Sequence, residues 1–233
     1  MDLPRIRHVT ALDLPVKPWD WPFAQIRRAE IDAHFAEQQR ARPRIWNGRV
    51  LLARNLRFSG ACFAADYFET DFASFLAWRD WGFPDKDVFN CPGMGALRAS
   101  DGAILLGEMG PHTANAGRIY FAAGTPDLHD VRDGKVDLSG SVERETKEEM
   151  GLATDDYRAS PDWCCVDARP LIALVRTLQS DLPGEALRAK VEANLARQSQ
   201  PEFSAVHLVR GTADVSDAMP RFVTDWLEAQ FLA

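Results

Sequence analysis

The pattern of turn signals and side-chain periods in this 233-residue chain predicts an α/β fold, a mixed sheet with helices on either side, preceded by an N-terminal extension of helix and strands. Two observations carry that expectation. Strand-like runs recur at Gly95 to Ala99, Ala103 to Glu108, Arg118 to Ala123, Cys164 to Val166 and Leu171 to Leu178, and segments with helical spacing lie between and behind them. The first two runs flank Ser100-Asp101-Gly102, a strong hairpin signal because Asp-Gly accepts the positive φ of a tight turn.

In chain order, Met1-Asp2-Leu3-Pro4-Arg5 shows no cationic leader before an apolar stretch. No apolar run reaches the roughly 18 residues of a membrane span, so a cytoplasmic protein with no membrane partner is expected. Trp19 to Arg42 reads as a loop and then an amphipathic helix stopped by Pro43, with Phe23, Ile26 and Phe35 facing inward. Arg49 to Phe58 and Ala61 to Glu69 read as strands joined at Ser59-Gly60. Phe72, Phe75, Leu76 and Arg79 keep helical spacing after a cap at Thr70-Asp71, and Gly82 closes that helix. These elements form an extension over residues 1–87, open to use as a lid, a homodimer surface or a specificity lobe; a second unit follows over 88–233. Gly93-Met94-Gly95 reads as a bend, being too short for a phosphate-binding fingerprint. Later, Pro183 to Arg197 places Leu187, Val191 and Leu195 at i, i+4 and i+8 of a helix; Ser204 to Arg210 reads as a short strand and Pro220 to Leu232 as a closing helix.

The chemistry concentrates in Arg144-Glu145-Thr146-Lys147-Glu148-Glu149-Met150-Gly151-Leu152. Asp137 or Ser139 can cap a helix leading into this segment, and Gly151 suits the left-handed residue at its end. At 3.6 residues per turn Glu145, Glu148 and Glu149 share one side of it. Like charges at that spacing cost a helix a few tenths of a kcal/mol per pair, whereas a hard cation such as Mg²⁺ or Mn²⁺ gains from such oxygen donors. An acidic helical face is often no more than solvated. The fixed pattern R-E-x-x-E-E-x-G, however, arises by chance in on the order of 10⁻⁴ of chains this long.

The nonapeptide resembles the second half of the Nudix box, G-x5-E-x7-R-E-U-x-E-E-x-G-U with U aliphatic. The resemblance spans roughly Val88 to the C-terminal region. It implies an α/β/α sandwich and a metal-dependent hydrolase that cleaves a phosphoanhydride in a nucleoside diphosphate linked to another moiety. It further implies Mg²⁺ or Mn²⁺ bound through Glu145, Glu148 and Glu149, with Glu145 and Glu149 the direct ligands and Glu148 a ligand or a base. Arg144, four residues before Glu148, can pair with it and hold a carboxylate in place. Many members of the family recruit a further acid from beyond the helix; Glu202, just before the Ser204 strand, is the best-placed candidate, beside the alternative of a plain surface glutamate.

The first half of the box departs from the family. Its Glu would fall on Val136 and its opening Gly on Asp130, and Thr146 stands at an aliphatic position. A Gly-x-x-acid start at Gly124, followed by a lengthened loop, replaces it, and Asp127, Asp133 or Asp137 would have to brace the loop and its arginine. No branch-specific substrate motif is visible around the box. The alternative function is a non-catalytic ligand-binding or regulatory module of the same fold; a third is a structural domain whose acidic helix is a solvated face.

Composition narrows the partners. A formal charge of −7 argues against binding a nucleic-acid duplex, which needs a basic footprint, and makes an anionic small molecule depend on local cations. Arg98, Arg118 and Arg169 are candidates for phosphate contact, and Trp46 and Trp163 for base stacking. Cys62, Cys91, Cys164 and Cys165 lack C-x-x-C spacing and read as small hydrophobes. His112, His129 and His207 have no i, i+4 histidine partner and read as surface or satisfied side chains.

Overall fold

In the computed structural model, which describes residues 5–43 and 45–232, alternating apolar runs build two sheets that share one core. All but Arg5 of the leader-like start lies outside the described residues. The N-terminal segment supplies strands β1 (Ile6–Val9) and β2 (Ala11–Asp13), helices α1 (Pro22–Ile26) and α2 (Arg28–Ala41), strands β3 (Arg49–Ser59) and β4 (Cys62–Asp71), and helix α3 (Phe72–Asp80). Asp71 caps α3 by accepting a bond from Ser74 N at 2.8 Å. Ile31 and Phe35 turn inward from α2 onto α3, but Ile26 is 80% exposed, because the chain breaks between α1 and α2 at Arg27 and rotates it outward.

The rest of the chain supplies β5 (Gly93–Arg98), β6 (Ile104–Met109), β7 (Ile119–Tyr120), β8 (Val131–Arg132), β9 (Lys135–Val136), α4 (Leu138–Met150), β10 (Arg158–Ala159), β11 (Trp163–Ala168), β12 (Leu171–Gln179), α5 (Gly184–Leu195), β13 (Phe203–Val209) and α6 (Arg221–Phe231). The large sheet runs β1-β11-β12-β5-β6-β13, with β10 beside β12 and β7 beside β6. It is mixed: β12 and β5 are parallel and its other neighbours antiparallel. The fold is therefore mixed α/β. Its first strand is an edge of the large sheet, so the N-terminal segment is woven into the body that holds the acidic helix.

Residues 93–95 are strand, where a bend was expected. A Cβ on Gly95 would stand 2.9 Å from Thr146 Oγ1 and 2.8 Å from Leu178 Cδ1, and one on Gly93 would stand 3.0 Å from Leu138 O. The glycines let α4 lie directly on β5. Sequence periodicity cannot register this use, because it leaves no side chain to count.

The three-stranded sheet β2-β4-β3 carries a bulge between Arg54 and Arg57, with Asn55 at φ 54°. Asp66 holds it. Its carboxylate accepts from Lys17 Nζ (2.9 Å), Asn55 Nδ2 (3.0 Å) and Arg57 Nη2 (3.2 Å). Burial alone would raise the Asp66 pKa, but these three donors overcome it and bring the value from 3.8 down to about 2. A carboxylate with a depressed folded-state value lends stability that is present above its unfolded value and is lost as pH falls through the folded one. Asp66→Asn should therefore cost about 1–3 kcal/mol at pH 7, and the wild-type advantage should vanish in urea titrations repeated between pH 4 and pH 2.

Candidate active site

The loop between β7 and α4 is built by short-range acids. Asp127 accepts from His129 N at 2.6 Å and opens a 3-10 turn over Leu128–Asp130. Asp133 and Gly134, both at positive φ, make the two-residue turn between β8 and β9. Asp137 caps α4 by accepting from Gly140 N at 3.0 Å, and Gly151 closes the helix at φ 71°. Asp127 and Asp137 are thus occupied with backbone, and Asp133 sits in the turn between β8 and β9.

Asp130 is the brace instead. It is 4% exposed and receives Arg144 Nη2 on both oxygens, at 3.1 and 3.2 Å, while Oδ2 also accepts from Asp127 N at 3.0 Å. Sequence alignment to the family pattern put Asp130 at a glycine position and so passed over it; the lengthened loop brings it back to the helix. The other terminal nitrogen of Arg144 lies 2.8 Å from Glu145 Oε1 and 3.4 Å from Glu148 Oε2. Burial would lower the Arg144 pKa, but Glu145, Asp130 and Glu148 raise it above its ordinary value, so the guanidinium stays charged.

Glu145 and Glu149 face inward, at 9% and 3% exposure, while the Glu148 side chain is 60% exposed on the rim. Glu149 Oε2 accepts from Ala123 N at 3.0 Å, and the exposed Glu202, just ahead of β13, adds its negative charge to the surroundings of this carboxyl. Gly124 is a close-approach position: a Cβ there would lie 2.1 Å from Glu145 Oε1. Burial, then the charges of Glu148, Glu202 and Asp130, raise the Glu145 pKa from 4.5 to about 7 against the opposing pull of Arg144. Burial, then Glu145 and Glu202, hold Glu149 well above the ordinary carboxylate value despite the Ala123 bond.

The donor set suits a hard cation in kind, since it is all carboxylate oxygen, two of its members, Glu145 and Glu149, being buried. In arrangement it is incomplete. Among the described residues no group of three His, Cys, Asp or Glu side chains is disposed around a common ion position, and Glu145 is engaged by Arg144.

The other candidates lie away from this cluster or are otherwise engaged. Arg118 Nη1 donates to Asp217 O, and Arg169 pairs with Asp167 and lies over Phe89. Trp46 is 79% exposed, and Trp163 is buried beneath Arg176. His207 pairs with Glu108 across β13 and β6 at 2.8 Å. Sequence reasoning missed Tyr120, a buried side chain whose hydroxyl accepts from Asn115 Nδ2 at 3.0 Å. Burial raises the Tyr120 phenol pKa; Glu149 and Glu202 raise it further, and Asn115 and Arg79 oppose them.

No family model matches this chain, and no curated protein does. Solved structures of similar chain path include RenU, a Nudix hydrolase from M. smegmatis, at 15% identity over 61% of this chain and 85% of that one, TM-score 0.41. The MutT protein from Methanosarcina mazei Go1 gives 14%, 61%, 92% and 0.39, and the protein Tm1382 gives 10%, 78%, 97% and 0.43.

Glu145 binds its proton more tightly folded than unfolded, so its contribution to stability is full below pH 4.5 and is lost as pH rises through about 7. Melting curves recorded in chelator should accordingly fall in midpoint from pH 5 to pH 8. The slope should be shallower in Glu145→Gln; an equal slope in that variant would contradict the burial assigned to this carboxyl.

Proposed function

We propose that the chain is a Nudix-type hydrolase that uses Mg²⁺ or Mn²⁺ to cleave a phosphoanhydride bond in a nucleoside diphosphate linked to another moiety. The observation supporting it best is the burial of two carboxyls, Glu145 and Glu149, on one side of α4, with Arg144 paired to Glu145. Glu145, Glu149 and Glu202 would hold the cation, with Glu148 reaching it from the rim. A cation held there would supply positive charge to offset the negative charge that repels an attacking water.

The chain's own residues do the rest. Arg144, fixed by Asp130, pairs with Glu145 and holds its carboxylate in place, and reaches Glu148 at the rim. Glu148 and Glu202 are the carboxylates placed to accept the water's proton, Glu148 from the solvent side and Glu202 from the sheet side. Water attacks one phosphorus, the anhydride oxygen leaves with the other, and the products are a nucleoside monophosphate and a phosphorylated remainder. No helix of the described residues is long and apolar enough to cross a membrane.

One observation favours a second reading, a non-catalytic binding or regulatory module of the same fold: the 2.8 Å contact of Arg144 with Glu145 engages an oxygen that the hydrolase needs for its cation. The two readings part on turnover. Incubated in ¹⁸O-water with a panel of nucleoside diphosphate derivatives, the protein should place label in one phosphate product, and to do so only with Mg²⁺ or Mn²⁺. Glu149→Gln should lower the rate by on the order of 100-fold or more, since removing even an outer partner of a metal ligand costs about 10–100-fold. Saturable Mn²⁺ binding without hydrolysis of any panel member would leave the module.

A further inference from the structure

We propose that β13, a free edge of the large sheet, pairs antiparallel with the β13 of a second copy of this chain, joining the two sheets across a two-fold axis whatever the carboxylate cluster does. The strand order ends at β13, and among the described strands its partner is β6 alone.

The ladder behind β13 decides which of its backbone groups face outward. Ala99 N donates to Ala103 O at 2.8 Å at the head of the hairpin between β5 and β6, so alternation along β6 turns Leu105 toward β5 and turns Ile104 and Leu106 toward β13. Ile104 and Leu106 stand opposite Val209 and His207, which therefore bond inward, while Val206 and Leu208 present their N–H and C=O groups to the outside. Arg210 continues the alternation, its N–H donating outward to Asp214 Oδ2 at 2.7 Å, and this bond marks where the open edge stops. Glu185 and Arg188 of α5, with Ser216 and Met219, border the edge and leave a groove of about 580 Å³ along it.

An open edge invites pairing unless charge, proline or brevity protects it. The opposite end of the large sheet is protected, since β1 has four residues and carries Arg7 and His8. β13 has seven, Phe203–Val209, with no proline, lysine, arginine or acid among them, and its bulge lies between Phe203 and Ala205, ahead of the outward groups. Charge at the two ends of the strand selects a second copy as the occupant. Glu202 stands immediately before β13 and Arg210 immediately after it, so an antiparallel copy sets the Glu202 end of each strand against the Arg210 end of the other, twice per dimer. A closed two-fold contact requires one self-complementary patch, and a strand with opposite charges at its ends is such a patch. Arg210 keeps 47% of its side chain exposed beside Asp101, and Glu202 is exposed as well, so both can meet a partner.

Sedimentation of the full chain over a concentration series tests the pairing. Wild type should form a dimer, and peptides spanning residues 203–210 should exchange their amides more slowly as the dimer fills. Glu202→Arg and Arg210→Glu each place like charges together at both ends of the paired strands and should weaken the dimer by about 10-fold or more. The double variant Glu202→Arg/Arg210→Glu should dimerise again. An equimolar mixture of the two single variants should do the same, because in a mixed pair both end contacts become opposite in charge. Arg158→Glu, which reverses a surface arginine paired with Asp181, should dimerise as wild type does. Recovery in the mixture excludes misfolding of the single variants as the cause of their loss. A wild-type chain that stays monomeric, single variants that remain dimeric, or a double variant and a mixture that both stay monomeric would each overturn the inference.

Discussion

A single guanidinium, that of Arg144, touches carboxylates from two segments that the chain order separates by a hairpin. Asp130 on the loop takes one terminal nitrogen with both oxygens, and Glu145 and Glu148 on the helix share the other. Planar, bidentate geometry makes this contact far more directional than a lysine could. It fixes the loop to the first turn of the acidic stretch, and through the 2.7 Å bond from Asp137 N to Asp130 O it also fixes where the helix begins. The positions of Gly124, Glu145 and Glu149 follow from that, since Gly124 gives Glu145 room and Ala123 N receives Glu149.

Much of this was legible in the sequence because it is local. A cap at Asp137 or Ser139, the left-handed Gly151 and a shared side for Glu145, Glu148 and Glu149 follow from spacing on one helix, and the hairpin at Ser100-Asp101-Gly102 from turn chemistry; that Glu148 stays on the rim does not. What was not legible depends on approach between distant segments. Asp130 braces Arg144 through a loop whose length obeys no motif, so counting along the family pattern could not find it. The bond from Leu51 N to Pro126 O, which ties β3 to the loop ahead of the acidic helix, likewise joins segments with no local signature. Strand β1 was missed because Ile6–Val9 is short and carries Arg7 and His8, which mask an alternating pattern.

The N-terminal segment is better described by its bonds than by its boundary. Its first strand completes the large sheet beside β11, its β4 donates Tyr67 OH to Cys91 O at 2.6 Å, and its strand β3 grips the loop at Pro126. Leu51, Ala53, Phe63 and Tyr67 are fully buried in the same core as Leu97 and Val142. A segment attached in this way cannot swing as a rigid lid without breaking strand pairing. It meets the loop ahead of the acidic helix through fixed backbone bonds, such as Leu51 N to Pro126 O at 2.7 Å.

The burial of the acids decides between a solvated helical face and a site. A solvated face keeps its carboxylates wet, where like-charge pairs cost a few tenths of a kcal/mol each. Glu145 and Glu149 are instead 9% and 3% exposed, and Glu202 adds its negative charge to the surroundings of Glu149. Uncompensated burial of ionised groups costs several kcal/mol apiece, which a fold avoids by substituting apolar side chains or by neutralising the group. Here the helix retains acids at two inward positions and raises their proton affinity. Arg144 offsets part of the charge on Glu145 but does not touch Glu149. Stability alone gives no reason to keep acids at both of these inward positions.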